Sequence, residues 1–240
     1  MSDAQPMFFP ADLKAAPEVR LLEVHDILCE HYGAPFPFFR DADPLSELVG
    51  SMLSHRTRNA DSGRALENLR ATFPTWEAVR DAPTQEVEQA ISAATWPEQK
   101  APRIQGALRT ITQRCGALSL EFLADMPPRD AQDWLESLNG VGPKTSAAVL
   151  LFSRLRMPAL PVDSHHHRVA QRLGFIPKSV GPGPAHARLR ALLPEDWSAQ
   201  TLYDHHEVLM FHGQKCCFYR RPACGRCPVL TCCPHAQANG

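Results

Sequence analysis

The sequence predicts an all-α protein. Apolar residues recur at helical spacing along most of the chain, and no stretch alternates apolar and polar residues in the two-residue period of a strand. Short breaks that contain Pro, such as Phe73-Pro74 and Pro127-Pro128, separate the helical segments. A chain of 240 residues with 44% apolar content is long enough to bury a substantial core, as one large domain or two small ones.

The helices follow one another in a regular order. The first is predicted over Glu18–Tyr32 and ends at Gly33, and a second begins at Pro44 with Asp43 as its cap. Residues 1–16 have no periodicity and are predicted to form a tail. Counting the one that begins at Pro44, ten more helices are predicted at about 44–54, 59–72, 75–80, 84–94, 98–115, 128–137, 144–155, 163–173, 185–193 and 198–212.

The net charge of −1 argues against a nucleic-acid partner, but the charges are unevenly distributed. Residues 1–138 carry 13 Lys and Arg against 21 Asp and Glu, whereas residues 139–240 carry 12 against 5 and also eight of the 11 histidines. Phosphates respond to local charge, so the second part of the chain predicts a basic face.

Two features of the sequence bear on the cellular compartment. The chain has no apolar run of 18 residues and no charged-then-apolar pattern at its N-terminus. We therefore expect an intracellular protein without a membrane partner, in the cytoplasm, and associated with the nucleoid if the source is bacterial.

The stretch Leu138–Thr145, with sequence LNGVGPKT, predicts the turn of a helix-hairpin-helix. Gly140 and Gly142 flank Val141 and allow positive φ and close approach of another backbone, so that amides at the start of the next helix bind a phosphate. Pro143 suits a first helical turn and leaves Lys144 beside the anion. The alternative interpretation is an ordinary glycine-rich link with a surface lysine.

Six of the eight cysteines lie between residues 216 and 233, which is typical of a metal site and not of a disulfide framework. Cys217, Cys224, Cys227 and Cys233 have the spacing C-x6-C-x2-C-x5-C, which suits a [4Fe–4S] cluster, with a zinc site of four thiolate ligands as the competitor. The adjacent Cys216 and Cys232 leave room for a ligand one residue away. Cys29 and Cys115 are predicted to be buried thiols.

The hairpin, the segment Pro161-Val162-Asp163-Ser164-His165 and the four cysteines together resemble the endonuclease III family of DNA glycosylases, in the iron-sulfur branch of the helix-hairpin-helix Gly/Pro-Asp superfamily. The resemblance implies a two-domain fold. A six-helix bundle would span 40–155, and a helical domain formed by 17–39 and 156–240 would hold the [4Fe–4S] cluster. It also implies binding to duplex DNA that contains damaged bases or abasic sites. Nothing in the sequence suggests more than a monomer, and we expect one.

The resemblance assigns chemical roles to two residues. Lys144 takes the position of the nucleophilic lysine that attacks C1′ and forms a Schiff base, the alternative being a lysine that only contacts phosphate. Asp163 would stabilise positive charge at C1′, and its alternative role is a helix N-cap. His165 would lie beside this carboxylate. His166 and His167 follow on successive helix positions, so the three histidines are not predicted to form a metal triad.

Three further segments are predicted to contact DNA. In Leu53–Thr57, with sequence LSHRT, Arg56 stands where the family has Gln, and it would fill the gap left by an extruded nucleotide or clamp a phosphate. Trp96 is predicted to stack in the same gap or, alternatively, to be a core residue. Arg220 and Arg221 make the loop between the first two cysteine ligands basic, so it would grip the DNA backbone or be a solvated surface loop.

The leading hypothesis is a bifunctional DNA glycosylase and abasic-site lyase of base excision repair that removes oxidised pyrimidines and cleaves by β-elimination. One alternative is a protein of this fold that binds DNA lesions or DNA structures with weak or lost catalysis. Another alternative is an adenine-excising relative, although those relatives lack the hairpin lysine that this chain has at Lys144. A further alternative is a zinc-stabilised regulator.

Overall fold

The computed structural model describes residues 16–38 and 41–238, which are helical and contain no strand. This confirms the predicted all-α class. Within these residues no helix is long and apolar enough to cross a membrane. The predicted tail, apart from Ala16, lies outside the described residues. The α-helices are α1 Pro17–Tyr32, α2 Pro44–Ser54, α3 Asn59–Thr72, α4 Trp76–Asp81, α5 Thr84–Ala90, α6 Pro97–Cys115, α7 Pro128–Glu136, α8 Pro143–Phe152, α9 Ser164–Arg172, α10 Pro182–Arg190, α11 Ala199–Lys215 and α12 Pro234–Gln237.

Some helix boundaries differ from the predicted ones for local reasons. Helix α10 begins at Pro182, three residues earlier than predicted, because proline is tolerated in a first helical turn. Helix α8 ends at Phe152, since Ser153 adopts an extended backbone and forms a β-bridge with Ala42. The short helix α12 and two 3-10 helices, Glu121–Asp125 and Cys224–Arg226, were not predicted.

The described residues divide into two compact units, one within 38–161 and the other formed by 16–37 with 162–238. The sequence-based boundary at residue 155 lies a few residues before the structural one. Met157 and Ala159 belong to the core of the first unit, and the Met157 amide donates to the Leu150 carbonyl at 2.9 Å. Residues 156–161 therefore pack with the helices that precede them.

The unit of residues 38–161 is a helical bundle around one apolar core. Helix α2 packs against α3, α6 and α8, while α7 and α8 pack against each other across the hairpin. Fully buried Leu48, Leu53, Ile104 and Leu150 lie at the centre of this core. The ends of α2, α7 and the start of α6 therefore have fixed positions relative to the hairpin.

The second unit packs α1 and α9 against α11, the long helix that precedes the cysteine segment. Gly213 permits the close contact of α11 with α9, because a Cβ there would lie 2.7 Å from the Cβ of His165. The Arg168 guanidinium secures this contact by donating to the Gly213 carbonyl at 2.8 Å. The start of the cysteine segment is thereby attached to the helix that begins after Asp163.

A cluster of buried histidines lies in the core of the second unit. His205 on α11 has its ring centroid 5.2 Å from that of His25 on α1 and 5.4 Å from that of His166 on α9, and His206 lies 5.9 Å from His166. Trp197 closes one side, 5.3 Å from His205. Within the described part of the chain, neither ring nitrogen of His166 or of His205 has a hydrogen-bond partner. These two imidazoles are therefore held neutral in an apolar setting.

Candidate functional site

The predicted hairpin connects α7 to α8. Gly140 adopts φ +87°, and its Cα lies against Arg103 so closely that a Cβ would be 3.4 Å from the arginine Cδ. Buried Val141 fixes the turn, and its amide donates to the Leu138 carbonyl at 3.1 Å. Gly142 is extended, with φ −115°, so the positive φ that either hairpin glycine allows is adopted by Gly140 and not by Gly142. Of the two hairpin glycines, only Gly140 has the positive φ that favours glycine.

Lys144 is the second residue of α8, and it is exposed. No side chain caps the N-terminus of this helix among the described residues, and its macrodipole attracts anions there. Lys144 therefore lies on an exposed helix end that favours a phosphate.

Positive charge is concentrated around the hairpin. Burial lowers the pKa of His55, and four nearby cations lower it further: Arg56, Lys100, Lys144 and Arg103. All four cations therefore lie within electrostatic range of His55. Three of these four cations, Arg56, Lys100 and Arg103, come from the part of the chain up to residue 138, which is acidic overall, so the basic face predicted from residues 139–240 stays a prediction.

The Leu53–Thr57 segment turns sharply after α2. Arg56 is exposed and adopts φ +52°, a left-handed backbone that is uncommon for a residue with a Cβ. The buried ammonium group of Lys100 lies beneath the turn and donates to the Leu53 carbonyl at 2.6 Å and to the His55 carbonyl at 2.9 Å. The turn is therefore held from within the bundle.

Trp96 lies at the N-terminus of α6, also with a left-handed backbone at φ +55°. Its side chain is 42% exposed, so the alternative that it is a core residue is wrong. The Arg56 guanidinium carbon lies 5.8 Å from the centroid of the Trp96 ring. Two predicted DNA-contacting side chains thus form one exposed cation–π pair.

Asp163 begins α9 in the second unit. Its Oδ1 accepts a hydrogen bond from the His166 amide at 2.7 Å, so the predicted N-cap is present. The histidines point in different directions, as predicted. The His165 ring lies 3.1 Å from the Arg168 guanidinium, His166 is fully buried, and the His167 ring contacts the Val180 carbonyl at 2.9 Å.

The four predicted cysteine ligands line one cavity. Buried His212 and Cys216 line it as well, whereas Cys232 does not. Burial raises the pKa of the Cys227 thiol to about 12, so a bound metal cation is needed to keep it a thiolate. Cysteine-rich walls around one space suit an iron-sulfur cluster or zinc.

A second set of ligand atoms overlaps the first. The ligand atoms of His212, Cys216 and Cys227 all lie within 4.8 Å of one another. The structure therefore contains a possible Cys/His metal site, with Cys216 beside Cys217 as the competing ligand. Cys115 is exposed at the end of α6, so its assignment as a buried thiol is wrong.

The basic loop after Cys217 is fixed from α9. The Arg172 guanidinium donates to the Cys217 sulfur at 3.1 Å, to the Phe218 carbonyl at 2.7 Å and to the Tyr219 carbonyl at 3.0 Å. Arg220 and Arg221 are exposed in this loop. One arginine thus connects a predicted cysteine ligand to a positively charged surface loop.

Sequence reasoning missed Lys100, Arg103 and Arg172, because each acts through contacts distant in sequence. Of these three residues, only Lys100 has a sequence feature that could have singled it out. It lies in the first turn of α6, where the helix dipole disfavours a cation, so a lysine there needs a local reason.

Comparison with known proteins identifies the family. Residues 49–195 match the profile of the HhH-GPD superfamily base excision DNA repair proteins. The chain belongs to this superfamily and to its endonuclease III family. The match includes the hairpin, Lys144 and Asp163 and stops before the cysteines.

Several curated relatives are similar to most of this chain. It is 30% identical over 197 residues to endonuclease III of Synechocystis, which covers 82% of this chain and 83% of the relative. It is 33% identical over 184 residues to DNA glycosylase/AP lyase ROS1 of Arabidopsis thaliana. That match covers 70% of this chain but only 13% of the relative. It is 31% identical over 192 residues to a candidate DNA glycosylase of the same plant. That match covers 80% of this chain and 64% of the relative, which is less than two thirds of its length.

Solved structures confirm the fold. The chain is similar to a trapped endonuclease III–DNA covalent intermediate, with a TM-score of 0.75 at 23% identity, over 94% of this chain and 99% of that one. It matches a thermostable thymine-DNA glycosylase equally well, with a TM-score of 0.75 at 19% identity, over 93% and 100%.

Proposed function

We propose that the protein is a bifunctional DNA glycosylase and abasic-site lyase that removes oxidised pyrimidines from duplex DNA. The single observation that carries the proposal is the exposed Lys144 on the second position of α8, directly after the hairpin and among other cations. The name of ROS1 pairs the same two activities, and a solved relative is a covalent intermediate with DNA.

The chemistry follows from an amine at this place. The neutral Lys144 amine forms a bond to C1′ while the N-glycosidic bond breaks and the base leaves with the electron pair and a proton. Ring opening gives an imine between Nζ and C1′. Loss of a proton from C2′ then breaks the C3′–O bond and cuts the strand. The hairpin amides and nearby cations hold the backbone during these steps.

For Asp163 we propose stabilisation of the positive charge that develops at C1′, in addition to the cap. Asp163→Asn separates the two roles, since Asn caps a helix as well as Asp does. We expect a change in Tm close to zero and a loss of about 10²–10³-fold in the rate of base excision. Single-turnover excision and thermal melts measure both.

Asp43→Asn is the matched control, because Asp43 caps α2 through the Ser46 amide at 2.9 Å in the same way. It should leave the excision rate unchanged. Full activity of Asp163→Asn would reduce Asp163 to a helix cap.

DNA contacts are proposed for the side chains that the structure leaves exposed on basic loops. Arg56 and Trp96 would fill the gap left by the extruded nucleotide, and Arg220 and Arg221 would contact phosphates. His165 and the backbone of the hairpin residues 140–142, where the Val141 side chain is buried, complete the proposed contacts. The partner is duplex DNA with a damaged base or an abasic site, and we propose that the protein binds it as a monomer in the cytoplasm.

The cavity in the second unit fits a [4Fe–4S] cluster. Cys217, Cys224, Cys227 and Cys233 would hold it, and the donor set of four thiols around one space is the chemistry that the cluster requires. Bound there, it would act as a structural cross-link. This chain's own residues then orient the basic loop, with Arg172 donating to both a ligand sulfur and the loop backbone.

A pair of variants identifies the ligand set. Cys217→Ser is expected to lose iron and the yellow-brown colour, whereas Cys216→Ser should keep both, because Cys217 has the spacing of the motif. Iron and acid-labile sulfide are measured on purified protein. The reverse pattern would favour the His212, Cys216 and Cys227 set, and colourless wild type containing zinc would exclude the cluster.

Borohydride trapping on a duplex with an abasic site tests the proposed function. A covalent adduct of protein and DNA supports the lyase, and a panel of duplexes with single lesions then defines the glycosylase substrate. Tight binding without an adduct would favour a DNA-binding protein of this fold.

A further inference from the structure

Lys100 has an unusual environment for a cation. Its side chain is 5% exposed, and its ammonium group donates to the Leu53 carbonyl, the His55 carbonyl and the hydroxyl of Thr57, the last at 2.7 Å. All three donor positions of an ammonium are used, and all three acceptors are uncharged. Burying this charge carries a desolvation cost, so the contacts it makes define its role.

Thr57 is the point at which Lys100 joins two loops. Its Oγ1 accepts from Lys100, accepts from the Thr95 amide at 3.1 Å and lies 3.3 Å from the His55 carbonyl, to which it donates. A hydroxyl has one donor and two acceptor positions, and all are used here. The loop after α2 and the turn before α6 are thereby connected through one side chain.

The residues that adjoin these contacts carry backbone strain. Arg56 precedes Thr57, Trp96 follows Thr95, and both have positive φ. Such conformations persist only where surrounding contacts enforce them, and they occur most often at functional sites. The enforced backbones bring the exposed guanidinium and indole together at 5.8 Å.

We propose that Lys100 is a positioning residue that, through Thr57, holds Arg56 and Trp96 as one rigid element for insertion at an extruded nucleotide. The inference rests on the proposed action on damaged duplex DNA. A side-chain pair ordered before binding loses less conformational entropy when it enters the duplex. The two loops then act together on DNA and not as separate contacts.

A double-mutant cycle tests the coupling with the holoprotein. Thr57→Val removes the shared hydroxyl at nearly constant volume, and Trp96→Ala removes the inserted ring. The measurement is the affinity for a duplex with a stable abasic analogue divided by the affinity for the same undamaged duplex. Fluorescence of 2-aminopurine beside the analogue reports how well the gap is filled.

We expect Thr57→Val to lower this ratio about tenfold in the wild type and less than about twofold in the Trp96→Ala background, as for coupled residues. Thr57→Ser keeps the hydroxyl and should restore the ratio. Lys100→Met should follow the same pattern, but it leaves two carbonyls unpaired. If Lys100→Met does not fold, the milder Thr57→Val alone tests the positioning role.

Additive effects of Thr57→Val and Trp96→Ala, or equal weakening on damaged and undamaged DNA, would overturn the positioning role while leaving the proposed function intact. A wild type without preference for the abasic analogue and without a trapped adduct would overturn both. A role in stability alone predicts a lower Tm with an unchanged affinity ratio, which also contradicts the proposal.

Discussion

Lys144→Ala is expected to abolish the covalent adduct that borohydride traps between the protein and abasic-site DNA. Methyl replaces the only amine placed at the start of α8, so no imine forms and no reduction product accumulates. Strand cleavage should fall by at least about 10³-fold. Binding of the same duplex should weaken by less than about tenfold, because many groups share the contacts with phosphates.

The trapping experiment has two internal controls. Lys144→Arg keeps the positive charge but offers no nucleophilic amine, so it should bind like the wild type and form no adduct. Lys178→Ala removes an exposed lysine from the other unit and should leave trapping unchanged. An adduct formed by Lys144→Ala at the wild-type rate would show that another amine is the nucleophile.

The second large effect is expected in the pH dependence of stability. Burial lowers the pKa of His166 and of His205 well below 6.5. Neighbouring histidines lower both pKa values further, because their positive charge disfavours a second protonated ring nearby. Below pH 6.5 these two histidines bind protons in the unfolded chain but stay unprotonated in the folded protein. The free energy of unfolding therefore falls as the pH falls. Each such histidine contributes a slope of about 1.4 kcal/mol per pH unit.

Other groups around the cluster change this slope. Burial also lowers the pKa of His25, against the opposing effect of Asp26 and Asp204, and this adds to the loss in acid. Burial raises the pKa of Glu207 to about 7, so between pH 4.5 and 7 the folded state binds an extra proton, which offsets about one histidine. A net loss of at least about 1.4 kcal/mol per pH unit between pH 6 and pH 5 remains.

The double variant His166→Leu, His205→Leu isolates the cluster. Four unpartnered ring nitrogens disappear and no described hydrogen bond is lost, so we expect equal or higher stability at pH 7. The slope between pH 6 and pH 5 should decrease by about 2.8 kcal/mol per pH unit in urea denaturation followed by circular dichroism.

His31→Leu is the control for the histidine prediction, because His31 is exposed at the end of α1. It should keep the slope of the wild type. All three proteins carry the same cysteine site, so acid damage to a bound cluster cancels in the comparison. An unchanged slope in the double variant would show that the buried histidines do not control the acid response.

Features encoded over a few residues were predictable from the sequence. The hairpin glycine, Lys144 and the Asp163 cap depend on neighbours within one turn, and the cysteine spacing is itself a short pattern. Helix ends were less predictable, since α8 stops where Ser153 pairs with Ala42, a residue far away in sequence. The sequence left open which of the hairpin glycines 140 and 142 adopts positive φ, because two glycines alone do not say which of them turns.

The sequence by itself determined the all-α class, the family and the residue types of the candidate sites, because periodicity and motif spacing are local properties. Only the tertiary structure decided that Trp96 is exposed against Arg56, that Lys100 joins two loops through Thr57, and that His25 meets His205 in a buried cluster. These contacts join segments separated by about 40 to 180 residues. Their geometry follows from how the helices pack, and no local pattern records it.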